Sequence, residues 1–141
     1  MVTFIITCDG GSLGNNSKDV VSKGYGSFNI TMPNHDSKNS ITIAKEYGSG
    51  ITNNEAEYMS LIDGMNHIIN SFFSVSASLK KIAIIVRTDS QLVIGQLSKG
   101  WKIKAANLRP LAIKANSLMQ EFGQVSFEQI SGIEMKQILG H

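Results

Sequence analysis

The chain has 141 residues, of which 42% are hydrophobic and 17% are charged, and its formal net charge is +2. This composition excludes disordered and fibrous proteins, and we expect a single domain over residues 1–141. No apolar run approaches the roughly 20 residues that span a bilayer, and the N-terminus does not resemble a signal peptide. The single cysteine, Cys8, excludes an internal disulfide and a cysteine-based zinc site. We therefore expect a cytoplasmic monomer with no membrane partner.

The first half of the chain predicts three strands followed by a long helix. Val2–Cys8 is rich in strand-forming residues, and the turn-forming segment Asp9–Ser12 follows it. Gly24–Met32 and Ile41–Tyr47 alternate in polarity and predict a hairpin. Thr52 is a good N-cap residue, and the apolar residues that follow at helical spacing predict a helix of about 18 residues.

The second half of the chain alternates between strands and helices. Lys81–Arg87 predicts a central strand, Gln91–Leu97 a short helix and Asn107–Phe122 an amphipathic helix. Gln124–Ile130 predicts a fifth strand, and Ile133–Leu139 a last helical segment. Because the fourth and fifth strands each follow a helix, we expect both to pair in parallel, whereas the first three pair antiparallel. The predicted fold class is α/β, with a mixed five-stranded sheet flanked by helices.

Basic side chains concentrate between residues 99 and 114, around Trp101. A net charge of +2 is too small to establish a nucleic-acid partner by itself. This cluster therefore indicates either a solvated helix face or a surface for nucleic acid. Its members are Lys99, Lys102, Lys104, Arg109 and Lys114.

Three carboxylates occupy positions where α/β proteins place ligand sites. Asp9 follows the first predicted strand, Asp89 follows the central one, and Glu57 lies in the first turns of the long helix. Each alone could be a turn residue or a solvated acid at a helix start. Several acids beside apolar strands are costly unless something compensates their charge, so together they indicate a divalent cation.

The residues around these acids resemble the motifs of type 1 ribonuclease H. Cys8–Ser12, with Gly14-Asn15 behind it, is similar to the family's opening motif, and Gly24-Tyr25-Gly26 is similar to its second strand. Thr52–Tyr58 resembles the Thr-Asn-Asn-x-x-Glu start of its long helix. Thr88–Val93 resembles its Thr-Asp-Ser-x-x-Val motif, and the resemblance covers residues 1 to about 130.

The resemblance implies a ribonuclease H-like fold and metal-dependent hydrolysis of the RNA strand of RNA–DNA hybrids, which leaves 5′-phosphate and 3′-OH ends. It implies two Mg²⁺ or Mn²⁺ ions per site, with Asp9 as the bridging ligand and Glu57 and Asp89 completing one metal. It assigns Thr52 to a phosphate of the DNA strand, although helix capping alone also explains this residue. The substrate-binding residues that it implies are Gly10, Gly11, Ser12, Asn15, Thr52, Asn53, Asn54, Ser90 and Gln91.

The family's fourth acid, an Asp in its last helix, has no counterpart in this chain. A gapless match places Leu139 near that position, and Glu134 lies too early. We predict that His141, two residues further on, is the fourth catalytic metal ligand, because imidazole binds metals. The terminal carboxylate and Glu134 are alternative ligands, and a terminal residue without a role is the simplest interpretation.

Two other functions remain open. The missing fourth acid is compatible with a hybrid-binding module that has lost catalysis. A different nuclease of the same fold is a second alternative. The Thr-Asn-Asn motif argues against the second alternative, because neutral amides are suited to the minor groove and the 2′-OH of a hybrid.

Overall fold

The computed structural model of the protein describes residues 2–14, 22–33, 40–71 and 78–140. The strands are β1 (Val2–Leu13), β2 (Lys23–Thr31), β3 (Ile41–Ser49), β4 (Ile82–Thr88) and β5 (Gln124–Gln129). The helices are α1 (Asn53–Ser71), α2 (Gln91–Ser98), α3 (Arg109–Met119) and α4 (Gly132–Leu139). The order of the elements is the order that the sequence predicts.

The five strands form one mixed sheet in the order β3-β2-β1-β4-β5. Strand β2 pairs antiparallel with both β1 and β3, and β4 pairs parallel with both β1 and β5. This arrangement confirms the predicted fold class. Because β1 and β4 are adjacent and parallel, their carboxyl ends lie at the same edge of the sheet, where ligands bind in α/β proteins.

Strand β1 is longer than the sequence predicts. The segment Asp9–Ser12 is not a turn but continues the strand, and Gly10 pairs with Gly26 of β2. The parallel pairing with β4 ends earlier, at Thr7. Asp9 therefore does not end the strand, and it lies just beyond the part of β1 that β4 covers. The prediction is wrong because local turn chemistry does not reveal that β2 supplies hydrogen-bonding partners there.

The main core lies between one face of the sheet and helices α1, α2 and α3. Alternate residues of β1, Ile6 and Cys8, point into it, as the strand period of two requires. Cys8 is 1% exposed, which agrees with its interpretation as a packing residue. The residues of this core with at most 2% exposure include Ile6, Cys8, Phe28, Tyr58, Leu61, Met65, Ile68, Ile84, Val86, Val93, Ala112 and Ala115.

Helix α4 packs against β1 and β2 and has its own small apolar cluster. This cluster contains Ile130, Met135 and Leu139. The side chain of Ser131 caps the helix by accepting a hydrogen bond from the backbone N–H of Glu134 at 3.1 Å. The last helix therefore begins beside β5 and packs on β2 and on β1, the strand that carries Asp9.

Local chemistry explains where α1 and α3 begin. The N–H of Thr52 donates to Glu55 Oε1 at 2.9 Å, and the N–H of Glu55 donates to Thr52 Oγ1 at 3.2 Å, which is a reciprocal capping box at the start of α1. Helix α3 begins at Arg109, two residues later than predicted, because Pro110 occupies its first turn. Within the described ranges, none of the helices is long and apolar enough to cross a membrane.

Candidate active site

Three carboxylates meet at the carboxyl edge of the sheet. Asp9 of β1, Glu57 of α1 and Asp89, which directly follows β4, each offer a carboxylate oxygen, and these oxygens lie within 4.8 Å of one another. All three side chains are half-buried. A cluster of carboxylate oxygens is the donor set that hard divalent cations such as Mg²⁺ prefer, so these residues fit a divalent metal. We call them the acid cluster.

A direct contact between backbones brings Glu57 to the other two acids. A Cβ atom at Gly10 would overlap the main chain of Ala56 and would lie 2.5 Å from the amide nitrogen of Glu57. Strand β1 and the first turns of α1 can therefore touch only because residue 10 has no side chain. Gly10 therefore has a structural role, because it sets the distance between Asp9 and the helix that carries Glu57.

Burial and the neighbouring carboxylates together raise the pKa of Glu57 from 4.5 to about 7. Burial is the largest cause, and the negative charges of Asp89 and Asp9 act in the same direction. A hydrogen bond from Ser90 opposes this rise by stabilising the charged carboxylate. A divalent cation would remove the repulsion, so the arrangement favours metal binding at neutral and higher pH.

Ser90 is buried and connects α2 to the acid cluster. Its hydroxyl oxygen accepts a hydrogen bond from the N–H of Val93 at 3.2 Å, which caps α2, and the side chain is also hydrogen-bonded to Glu57. This residue therefore holds a catalytic candidate in position, a role that the sequence motif does not reveal.

The residues predicted to contact substrate differ in accessibility. Asn53, Asn54 and Gln91 are exposed, and Ser12 is half-buried. Thr52 is also exposed, and its hydroxyl belongs to the capping box, which confirms the capping interpretation without excluding a phosphate contact. The predicted residues Asn15 and His141 lie outside the described residues.

Gly11 is buried because Tyr25 of β2 covers it. A Cβ atom at Gly11 would lie 2.6 Å from Cζ of Tyr25, so the phenol ring rests on the glycine. Tyr25 as a whole residue is 38% exposed. Sequence patterns did not identify Tyr25 as a functional candidate, and only the pairing of Gly11 with Tyr25 shows its position.

The basic residues near Trp101 lie mostly outside helices. Lys99, Lys102 and Lys104 are exposed and lie between α2 and α3, so the interpretation as a helix face is wrong for them. The Trp101 ring packs on Gly95 of α2 and remains 47% exposed. Gln91, Lys99 and Trp101, with Ile94 and Gln129, line a cavity of about 220 Å³. A lysine, an aromatic ring and an amide therefore share one surface close to Asp89.

The position of the missing fourth acid is apolar. Leu139, which the sequence match places there, is 7% exposed and packs in the cluster with Ile130 and Met135. The start of the same helix lies near the acids, because a Cβ atom at Gly132 would be 3.9 Å from Oδ2 of Asp89. Helix α4 thus borders the acid cluster, but among its described residues none joins the three carboxylates.

Solved structures share this architecture. The N-terminal RNase H domain of Rv2228c from Mycobacterium tuberculosis, studied as a maltose-binding-protein fusion, superposes with a TM-score of 0.78 at 25% identity, over 98% of this chain and 88% of that chain. RNase H1 of the halophilic archaeon Halobacterium salinarum gives 0.77 at 23% identity, over 96% and 91%. LC11-RNase H1 in complex with an RNA/DNA hybrid gives 0.76 at 24% identity, over 96% and 90%. The fold is that of ribonuclease H, as the sequence motifs predict.

Sequence comparison gives the family. A family model described as reverse transcriptase-like matches residues 16–132, and the chain belongs to this family. The bifunctional protein Rv2228c of Mycobacterium tuberculosis is 31% identical over 126 residues, which are 89% of this chain and 30% of that protein. An uncharacterized protein of Mycobacterium bovis matches with the same values. The chain therefore spans about 30% of the length of the curated relatives it matches.

The raised pKa of Glu57 predicts a pH-dependent stability in metal-free buffer. The unfolded chain ionises Glu57 near pH 4.5, but the folded protein keeps its proton up to about pH 7. The stability that this proton contributes is present below pH 4.5 and is lost as the pH rises through 7. We therefore expect Glu57→Gln to have a higher Tm than the wild type above pH 7 in EDTA, with a smaller difference at pH 4.5. Circular dichroism melts from pH 4 to 8.5 measure this, and a difference independent of pH would contradict it.

The contact at Gly10 predicts that Gly10→Ala is destabilising and weakens metal binding. The added methyl group must displace α1, so we expect the free energy of unfolding to fall by about 1–3 kcal/mol. The rise in Tm on adding Mg²⁺ should also be smaller, because Glu57 moves away from Asp9. The matched control is Gly132→Ala, whose methyl group meets Asp89 at an ordinary contact distance. A Gly10→Ala variant with the wild-type Tm and Mg²⁺ response would show that the contact does not constrain the site.

Proposed function

We propose that the protein is a metal-dependent endoribonuclease that hydrolyses the RNA strand of RNA–DNA hybrids and leaves 5′-phosphate and 3′-OH ends. The observation that carries this proposal is the convergence of Asp9, Glu57 and Asp89 within 4.8 Å at the carboxyl edge of a ribonuclease H fold. The complex of LC11-RNase H1 with an RNA/DNA hybrid supports the choice of substrate, because the two folds superpose closely.

The acid cluster would hold the metal ions. Two Mg²⁺ or Mn²⁺ ions bound there would supply an activated water and stabilise the leaving oxygen. Asp9 lies on β1, which pairs with β4 and packs against α1, so its carboxylate would be a metal ligand together with those of Glu57 and Asp89. The contact at Gly10 and the hydrogen bond from Ser90 fix the orientation of Glu57 before metal binds, so little reorganisation is needed.

Neutral and basic side chains near the acid cluster are suited to binding an RNA–DNA hybrid. The amides of Asn53, Asn54 and Gln91 are exposed, and such groups can hydrogen-bond the 2′-OH and the base edges of a minor groove. The exposed surface of Lys99 and Trp101 offers a cation for a phosphate and a ring for stacking. Substrate selection would therefore depend on groove shape and on the sugar rather than on base sequence.

One observation favours a second function, a hybrid-binding module without catalysis. The position of the fourth acid is occupied by the buried side chain of Leu139, so the described part of the chain offers three carboxylates rather than four. Cleavage distinguishes the two functions, because a binding module retains hybrids without cutting them in any metal.

We expect the wild type to cut the RNA strand of a labelled hybrid with Mg²⁺ or Mn²⁺, and Asp9→Asn to lose more than about 100-fold in rate. Duplex RNA, duplex DNA and single strands should be cut far more slowly. Glu121→Gln, which removes an exposed acid outside the acid cluster, is the matched control and should retain the wild-type rate. Retention of more than about one tenth of the rate by Asp9→Asn would exclude the metal role of the acid cluster, and equal cutting of duplex DNA would exclude hybrid specificity.

We also propose that His141 is the fourth metal ligand, and this predicts a preference for manganese. Imidazole is a better ligand for Mn²⁺ than for Mg²⁺, which prefers oxygen. We expect higher activity with Mn²⁺, a large loss of activity but not of hybrid binding in His141→Ala, and partial activity with Mg²⁺ in His141→Asp. The control is Gln137→Ala, an exposed position of α4. If His141→Ala cuts as fast as the wild type with both metals, the imidazole is not a ligand.

A further inference from the structure

A cleft of about 600 Å³ lies beside the acid cluster, on strands β2 and β3. Its floor includes Ser27 and Ala44, which face each other across the two strands. Ser27 is also paired with Asp9 on its other side. Because neighbouring strands are about 4.8 Å apart, the floor begins one strand away from the first acid of the site. The cleft therefore lies one strand away from Asp9.

Tyr25 forms the wall of the cleft nearest to the end of β1. Its ring rests on Gly11, which is two residues beyond Asp9 and on the same face of β1. The contact with Gly11 leaves Tyr25 38% exposed. Glu46 of β3 is paired with Tyr25 and also lines the cleft. An aromatic ring and a carboxylate thus lie side by side at one end of a floor of two small residues.

The chemistry of this lining favours the nucleoside part of a nucleic acid over its phosphate. Aromatic side chains stack on bases and sugars, and a carboxylate accepts hydrogen bonds from ribose hydroxyls or base amino groups. The lysine at the rim, Lys45, already forms an ion pair with Asp63 at 3.5 Å. Glu46 adds a negative charge that repels phosphate. The small floor residues leave room for a ring-sized group.

We propose that the cleft formed by Tyr25, Ser27, Ala44 and Glu46, the Tyr25 cleft, binds a nucleoside of the strand that is cut, next to the scissile phosphate. The inference rests on the proposed function, because it extends that strand from the acid cluster across β2. It assigns to Tyr25 the stacking contact and to Glu46 the hydrogen-bond acceptor for a ribose hydroxyl or a base amino group. The contact with Gly11 holds the ring in place before substrate arrives, which reduces the entropy lost on binding.

Filling the cleft tests the proposal without touching the acids. Ala44 is exposed on an edge strand, so Ala44→Leu should fold normally and block the floor. We expect its Kd for a labelled hybrid, measured by fluorescence anisotropy at fixed salt, to rise about tenfold. Tyr25→Leu should have a similar effect, and Tyr25→Phe should bind nearly as well as the wild type because it keeps the ring. Ser126→Leu adds the same side chain to the exposed edge strand β5 and is the matched control.

Binding measurements with hybrids of different RNA length distinguish the loss of a nucleoside subsite from a general structural effect of the substitution. In the wild type, extending the RNA strand past the cleavage site on one side should strengthen binding in one step, when the added nucleoside reaches the cleft. Ala44→Leu should lose this step and bind the shortest hybrids as the wild type does. Equal weakening at every length, or normal binding of long hybrids by Ala44→Leu, would overturn the proposal for the Tyr25 cleft alone. Failure of the wild type to bind any hybrid would overturn both this proposal and the proposed function.

Discussion

The site depends on the direct contact between β1 and α1 at Gly10. The main chains of Ala56 and Glu57 lie where a side chain at residue 10 would be. This contact brings a carboxylate on a helix within 4.8 Å of one carboxylate inside β1 and one that directly follows β4. Burial is the largest cause of the raised pKa of Glu57, and the like charges of Asp89 and Asp9 raise it further. Only a rigid framework keeps three such groups together, and the central parallel strands with α1 packed on them provide it.

Much of this framework could be predicted from local patterns, since the β-branched runs and the helical spacing of apolar residues identify each element. The extent of β1 could not be predicted in this way. Asp9–Ser12 has the composition of a turn, but β2 pairs with it as far as Leu13, and this pairing joins segments distant in the sequence. The lysines before α3 were ambiguous for a similar reason, because charge alone does not distinguish a helix face from an irregular segment.

The three acids were recognised through their flanking motifs, and the structure brings them together. The contacts that hold the three acids in place could not be predicted from the sequence. Ser90 caps α2, and its hydrogen bond to Glu57 arises only when α1 and α2 pack side by side. Gly10 and Gly11 looked alike in the motif, yet one contacts a helix backbone and the other lies under Tyr25. Asn15 and His141 remain predictions.

The first turn of α1 shows how one short segment serves stability and chemistry without conflict. Thr52 and Glu55 satisfy each other's backbone N–H groups, which caps the start of the helix. Asn53 and Asn54 are then left exposed, at spacings of four and three residues before Glu57. Residues at those spacings are neighbours on a helix surface, so each amide lies next to the carboxylate. If the proposed hybrid binds at the acid cluster, these amides are close enough to the carboxylate to contact its minor groove.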